Sequence, residues 1–241
     1  MIPKIIHYCW FGPNKISKET KKYINTWKKY CPDFEIIEWN EENFNINSNK
    51  FVLDAYNAGK YAFVSDYVRL YVVHKYGGIY LDTDVELFKT LDNQLLNHKA
   101  FFAIQQSDNL ATTGLGFGAE KGNELIKKLF SMYNKIDFNS SNIKNIACPI
   151  LITDELYKIG FQRKDATQYL CNGDVVVFSS EYFDPISPST TVNLKSTKTY
   201  SMHHYAASWL SKNKRAKRKI ANLLGQTNIN RIKKILKKNI I

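Results

Sequence analysis

Four cysteines are all that the 241 residues contain: Cys9, Cys31, Cys148 and Cys171. None stands in a C-x-x-C pair, so a zinc ribbon or a dithiol redox motif is excluded, and free thiols in a reducing, cytoplasmic setting are expected. No apolar run approaches the length of a membrane span. Residues 2–12, IPKIIHYCWFG, are too short and too soon interrupted to be the core of a secretory signal. Acidic residues are missing from one region altogether. Residues 211–241 hold eleven of the 34 Lys and Arg and no Asp or Glu, which leaves 23 basic against 22 acidic residues in 1–210. The net charge of +12 therefore belongs to a tail on a nearly neutral body, and a body-wide nucleic-acid surface is not expected.

What is present is enough for a core: 44% apolar and 14% aromatic residues. Length and composition predict one domain over 1–210 and a basic appendage over 211–241. Residues 4–10 read as a buried first strand stopped by Gly12-Pro13. A helical pattern starts at Ser17, carries Ile24, Trp27 and Tyr30 on one face and ends at Cys31-Pro32. Residues 34–39 read as a second strand, and strand–helix–strand opens an α/β nucleotide-binding fold. Further helices are expected over 51–58, 60–76, 120–136 and 149–159. Further strands are expected over 79–81, 101–105, 114–118, 175–178 and 199–203. The tail is expected to form two basic helices, 208–224 and 230–240.

The chemistry gathers in residues 61–86, YAFVSDYVRLYVVHKYGGIYLDTDVE. Asp66 and Arg69 share a helix face at i and i+3. Their neighbours Phe63, Val64, Tyr67, Val68 and Leu70 are apolar, so the helix reads as buried, and a buried Arg needs an anionic partner. Asp82 and Asp84 stand at the end of the strand that follows, where i, i+2 alternation points both to one side. Paired carboxylates suit a hard divalent cation that completes its shell with water and substrate phosphates. A lone D-x-D is a weak signal, since solvated carboxylates in a loop give the same pattern.

Several ordered motifs make it stronger. IPKIIHYCWFG, A-x-x-SD-x-x-R with GGIYLDTDVE, and HHYAASW together resemble the D-x-D sugar-binding glycosyltransferases of family 32, among them bacterial capsular-polysaccharide transferases, over residues 2–210. The resemblance implies a GT-A fold, a nucleotide-sugar donor, a Mn²⁺ (or Mg²⁺) cofactor and retention of anomeric configuration. On this pattern Trp10 stacks on the donor base, Asp66 binds donor sugar hydroxyls and Arg69 lies near the diphosphate and sugar. Asp82 contacts ribose and sugar, and Asp84 is the direct metal ligand. The pattern H-x-x-x-x-S-W falls on His203, a metal ligand, and on Ser208 and Trp209 at the donor phosphates. Spacing to Trp209 selects His203 over His204. Asp82 and Arg69 are the catalytic candidates, and no base is assigned. UDP-galactose or UDP-glucose is the expected donor, with GDP-mannose the alternative. The chain departs from the family at residues 111–118, where many relatives carry an Asn, and at Asp184-Pro185, where Cys-Pro is common.

Two other classes fit parts of the sequence. LDTDV matches the D-x-D-x-[TV] strand of haloacid-dehalogenase-like phosphatases, with Asp82 as nucleophile and Asp84 as acid/base. That motif ends the first strand of its domain, however, whereas here about 80 residues precede it, and Gly173-Asp174 lacks the second acidic residue. The tail, KNKRAKRKIANLL and NRIKKILKKNII, pairs Lys and Arg with Ile and Leu at helical spacing. It gives a non-enzymatic alternative, binding through the tail to nucleic acid or to an anionic membrane surface, and the membrane surface is preferred, at about 1 kcal/mol per exposed cation. The protein is thus expected on the inner face of the cell membrane, acting on a saccharide or lipid-linked oligosaccharide acceptor.

Overall fold

A computed structural model of the chain describes residues 1–138 and 147–206. The strands are β1 (Ile5–Cys9), β2 (Glu35–Trp39), β3 (Gly78–Tyr80), β4 (Val85–Leu87), β5 (Ala100–Ile104), β6 (Ala111–Thr112), β7 (Phe117–Ala119), β8 (Gln168–Leu170), β9 (Val175–Phe178) and β10 (Ser201–His203). The helices are α1 (Lys18–Tyr30), α2 (Lys50–Asn57), α3 (Tyr61–Tyr76), α4 (Asn93–Leu96), α5 (Glu124–Met132), α6 (Cys148–Tyr157) and α7 (Ser180–Phe183).

The main sheet runs β2-β1-β3-β7-β5-β9-β8, with β6 beside β5. β1 lies parallel to both β2 and β3, and β5 is parallel to β9; the pairs with β7 and β8 are antiparallel. Helices cover both faces, so the central strands bury both sets of alternating side chains. Phe102, Ile104, Val175 and Val177 pack on the α2–α3–α5–α6 side. Phe101, Ala103, Val176 and Phe178 pack on the other.

Local sequence accounts for the elements that carry the site. Ser17 caps α1 by accepting the Thr20 N–H at 3.0 Å, which satisfies one orphan donor of the first turn. α3 has no such cap and is buried nearly all round, with Val64, Val68, Leu70, Val72 and Val73 inaccessible. Tertiary packing rather than propensity holds it. It stops at Gly77, and Gly78 follows with φ +108. A Cβ at Gly78 would lie 2.7 Å from the Ile5 carbonyl oxygen, so only glycine lets β3 enter beside β1 at this point.

Two short strands place the candidate site: β10, inside the strand expected over 199–203, and β4, which the sequence did not mark. β4 leaves the main sheet and pairs antiparallel with β10 in a two-stranded sheet, bringing His203 opposite Val85. α1 clamps this sheet: the Trp27 Nε1–H donates to the Val85 carbonyl at 2.8 Å, and the Leu87 N–H donates to Thr26 Oγ1 at 3.0 Å. Of the strand expected over 114–118 only the last two residues are strand, in β7; residues 114–116 lie outside it, and β6 precedes them. The helix expected from residue 120 begins at Glu124, because Asn123 is its cap. β8, α4 and α7 are short elements that periodicity did not mark. The two basic helices of the tail lie outside the described residues.

Candidate active site

Asp82 and Asp84 do not converge by strand alternation. β3 ends at Tyr80, and Asp82–Thr83–Asp84–Val85 is a turn closed by the Val85 N–H on the Asp82 carbonyl at 3.0 Å. The chain needs that turn to leave the main sheet for β4, and the D-x-D rides on it. β10 then delivers His203 to the same place. One ligand atom from each of Asp82, Asp84 and His203 lies within 4.8 Å of the other two. His203 Nε2 is 3.0 Å from Asp84 Oδ1 and 3.9 Å from Asp82 Oδ2. Asp84 Oδ2 also accepts the Ala206 N–H at 2.7 Å. His204 points elsewhere, to Glu86 at 2.8 Å and into a stack on Tyr23.

Arg69 stands behind Asp82. Its Nη2 is 3.1 Å from Asp66 Oδ1 and 3.2 Å from Asp82 Oδ1, and its side chain is only 6% exposed. The guanidinium also lies 4.8 Å from the centre of the Tyr80 ring, whose hydroxyl donates to Asp82 Oδ1 at 3.0 Å. Arg69 thus has the anionic partners that its burial demands. On the far side, a Cβ at Gly114 would sit 2.6 Å from Asp82 Oδ2. Any side chain there would push the carboxylate out of place.

The charges are tuned by this packing. Burial pushes the Asp66 carboxyl up to about 6, with Arg69 pulling it back. Burial also raises Asp82, opposed by Arg69 and reinforced by Asp84. Burial would raise Asp84 too, but the charge and hydrogen bond of His203, with the Ala206 N–H, hold it below the usual carboxylate range. For His203, burial favours the neutral ring, yet Asp84 outweighs it and the imidazole is raised above its ordinary value.

A cleft of about 590 Å³ opens over these groups, with Trp10, Lys15, Tyr23, Arg69, Asp82 and Asp84 in its lining. Trp10 is half-buried at the rim, its Nε1–H donating to the Asn14 carbonyl at 2.6 Å. Asp66 and His203 are not part of the lining; they stand behind Arg69 and Asp84. Ser208 and Trp209 lie outside the described residues. Tyr80, Gly114 and the Ala206 N–H were missed by sequence reading, because each acts through a contact that only the fold creates. The donor set of two carboxylates and one imidazole fits a divalent metal ion. The fit is supported by His203, whose Nε2 is aimed at the carboxylates while Nδ1 is buried without a partner among the described residues.

Residues 17–102 match the family described as glycosyltransferase sugar-binding region containing DXD motif. Inositol phosphoceramide mannosyltransferase 3 of Schizosaccharomyces pombe is 31% identical over 146 residues, 57% of this chain and 39% of that protein. An uncharacterized glycosyltransferase of Acanthamoeba polyphaga mimivirus is 28% identical over 222 residues, 87% of this chain and 84% of the other. The chain thus spans about two fifths of the yeast relative. A glycosyltransferase involved in glycosylation of the major capsid of PBCV-1 superposes with a TM-score of 0.52 over 90% of this chain and 98% of that one, at 14% identity. The chain has the GT-A fold and is related to glycosyltransferases, with Asp82 and Asp84 inside the region that carries their D-x-D motif.

Proposed function

We propose that the protein is a metal-dependent, retaining glycosyltransferase that moves a hexose from a nucleoside-diphosphate sugar to a saccharide hydroxyl. The observation that carries this reading is the convergence of Asp82, Asp84 and His203 under a cleft lined also by Arg69 and Trp10. Asp82, Asp84 and His203 are the groups that would hold Mn²⁺ or Mg²⁺, and the chemistry such a cation supplies is neutralisation of charge on the leaving diphosphate. Arg69 presents a fixed positive charge to the same end of the cleft. Asp66 holds Arg69 in place, and its indirect position makes that its first role, ahead of contact with sugar hydroxyls. Trp10 offers a face for the base. Ser208 and Trp209 are assigned to the donor phosphates on the family pattern alone. No side chain is required as a base, since a leaving phosphate oxygen can take the proton of the acceptor hydroxyl as the glycosidic bond forms.

A UDP-sugar is the first choice of donor. The similarity to an inositol phosphoceramide mannosyltransferase favours a second, GDP-mannose with a lipid-borne acceptor. Synthesis of capsular or other surface polysaccharide on a lipid-linked acceptor is the setting proposed, with the basic tail on an anionic membrane face of the cytoplasm. No described helix is long and apolar enough to cross a membrane. The phosphatase alternative requires Asp82 as a free nucleophile, whereas Asp82 Oδ1 is engaged by both Arg69 and Tyr80. Asp84→Ala is the direct test: it is expected to abolish metal-stimulated donor hydrolysis in a folded protein. Full activity of the parent protein in EDTA would contradict the reading.

A further inference from the structure

His203 uses only one of its two ring nitrogens on the D-x-D. Nε2 faces Asp84 and Asp82, while Nδ1 is buried without a hydrogen-bond partner among the described residues. A second buried orphan is Asp184 Oδ1. Asp184 is fully buried at the end of α7. Only its other oxygen is engaged: Oδ2 accepts the Gln106 N–H at 2.9 Å and the Tyr205 O–H at 2.7 Å.

Tyr205 joins the two orphans. Its ring meets the His203 imidazole edge-on, with centroids 4.3 Å apart, and its hydroxyl is the one that tethers Asp184. Its φ of +51 lies in the left-handed region, a conformation that costs a non-glycine residue about 1–3 kcal/mol and persists only where surrounding contacts impose it. Asp184 and His203 also feel each other's charge. Burial pushes the Asp184 carboxyl up to about 6, and His203 is among the groups that draw it back. Asp184 in turn helps to raise His203.

A buried carboxylate oxygen and a buried imidazole nitrogen left unpaired are each costly, and a metal-bound histidine almost always gives its second N–H to a carboxylate, a carbonyl or a water. We propose that Asp184 is a positioning residue for His203: its Oδ1 receives the Nδ1–H across one bridging water, and so keeps Nε2 on the D-x-D side as a cation ligand. Tyr205 and the Gln106 N–H fix Oδ2, which leaves Oδ1 as the oxygen available to the ring. The inference rests on the metal-dependent reading above and adds a residue outside the matched sugar-binding region.

The test is Mn²⁺ binding to the full-length protein, followed by the electron paramagnetic resonance signal of free Mn²⁺, beside thermal unfolding. In Asp184→Asn the carbonyl oxygen stays with its two donors and the NH₂ takes the place of Oδ1, so the bridging water loses the acceptor that ties it to Nδ1–H. Binding is expected to weaken about tenfold or more, with a native near-UV dichroism spectrum. Tyr205→Phe keeps the ring and frees Asp184, and is expected to weaken binding a few-fold. If Asp184 serves only to brace the loop after β5, the melting temperature falls while the folded protein binds Mn²⁺ as the parent does, and the inference is overturned. Should Asp184→Asn not fold, parental affinity in Tyr205→Phe overturns it equally. A parent protein that binds no Mn²⁺, or an Asp84→Ala variant that binds it normally, overturns the metal reading itself and this inference with it.

Discussion

His203 Nε2 lies 3.0 Å from Asp84 Oδ1, so a proton and a metal ion compete for the same gap. The raised imidazole and lowered carboxylate make the metal-free pair an ion pair. Its stabilisation on the His203 side is complete below the unfolded pKa near 6.5 and is lost as pH rises through the raised folded value. On the Asp84 side it is present above the ordinary carboxylate range and is lost as pH falls through the lowered value. A cation needs the neutral ring, so its binding follows the opposite course. Mn²⁺ affinity, measured by calorimetry from pH 5.5 to 8.5, is expected to weaken on acidification, starting above 6.5. A flat profile would show that His203 is not a ligand.

Arg69 is held between two buried carboxylates, and removing it strands both. Arg69→Ala is expected to lose about 3–5 kcal/mol of stability at pH 8, read from urea unfolding. The loss is expected to shrink at pH 5, because without the cation burial raises Asp66 and Asp82 further and they protonate. A loss independent of pH would point to lost packing alone.

Gly114→Ala tests the cradle of Asp82. Its φ needs no glycine, so the added methyl acts through its 2.6 Å approach to Asp82 Oδ2. Overpacking of this kind costs about 1–3 kcal/mol. The expected result is a folded protein whose Mn²⁺ affinity drops at least tenfold. Parental affinity would mean that the carboxylate can move without consequence.

How much of this was legible depends on what each element needs to declare itself. α1 announces its cap at Ser17 and its buried face through Ile24 and Trp27; β1 and β9 are runs of β-branched and aromatic residues. Asp66, Arg69, Asp82 and Asp84 could be named because helix spacing and a glycine stop place them locally. β4 could not, for three residues after a turn carry no period. Its existence depends on α1 donating to Val85 and Thr26 receiving Leu87, and those contacts span about 60 residues. His203 could be chosen by spacing, but its place beside Asp84 is set by the β4–β10 pairing, a long-range fact. Asp184 stood out only as a departure from the family pattern, with no role until Tyr205 linked it to His203.

The clamp itself can be tested at Thr26. Thr26→Val keeps the shape and removes the acceptor for the buried Leu87 N–H, at a cost of about 1–3 kcal/mol. Because β4 carries the D-x-D turn, urea unfolding and Mn²⁺ affinity are expected to weaken together. A stability loss with unchanged metal binding would show that the turn holds its shape without the clamp.

The central claim is metal-dependent cleavage of a nucleotide sugar at Asp82, Asp84 and His203. Its most direct measurement is hydrolysis across a panel of UDP- and GDP-sugars with Mn²⁺, with EDTA, and with Asp84→Ala. The account predicts release of nucleoside diphosphate from one donor or a narrow set of them, in Mn²⁺ only, and none from the variant. Equal release in EDTA, or hydrolysis of a simple aryl phosphate with every nucleotide sugar left intact, would contradict it.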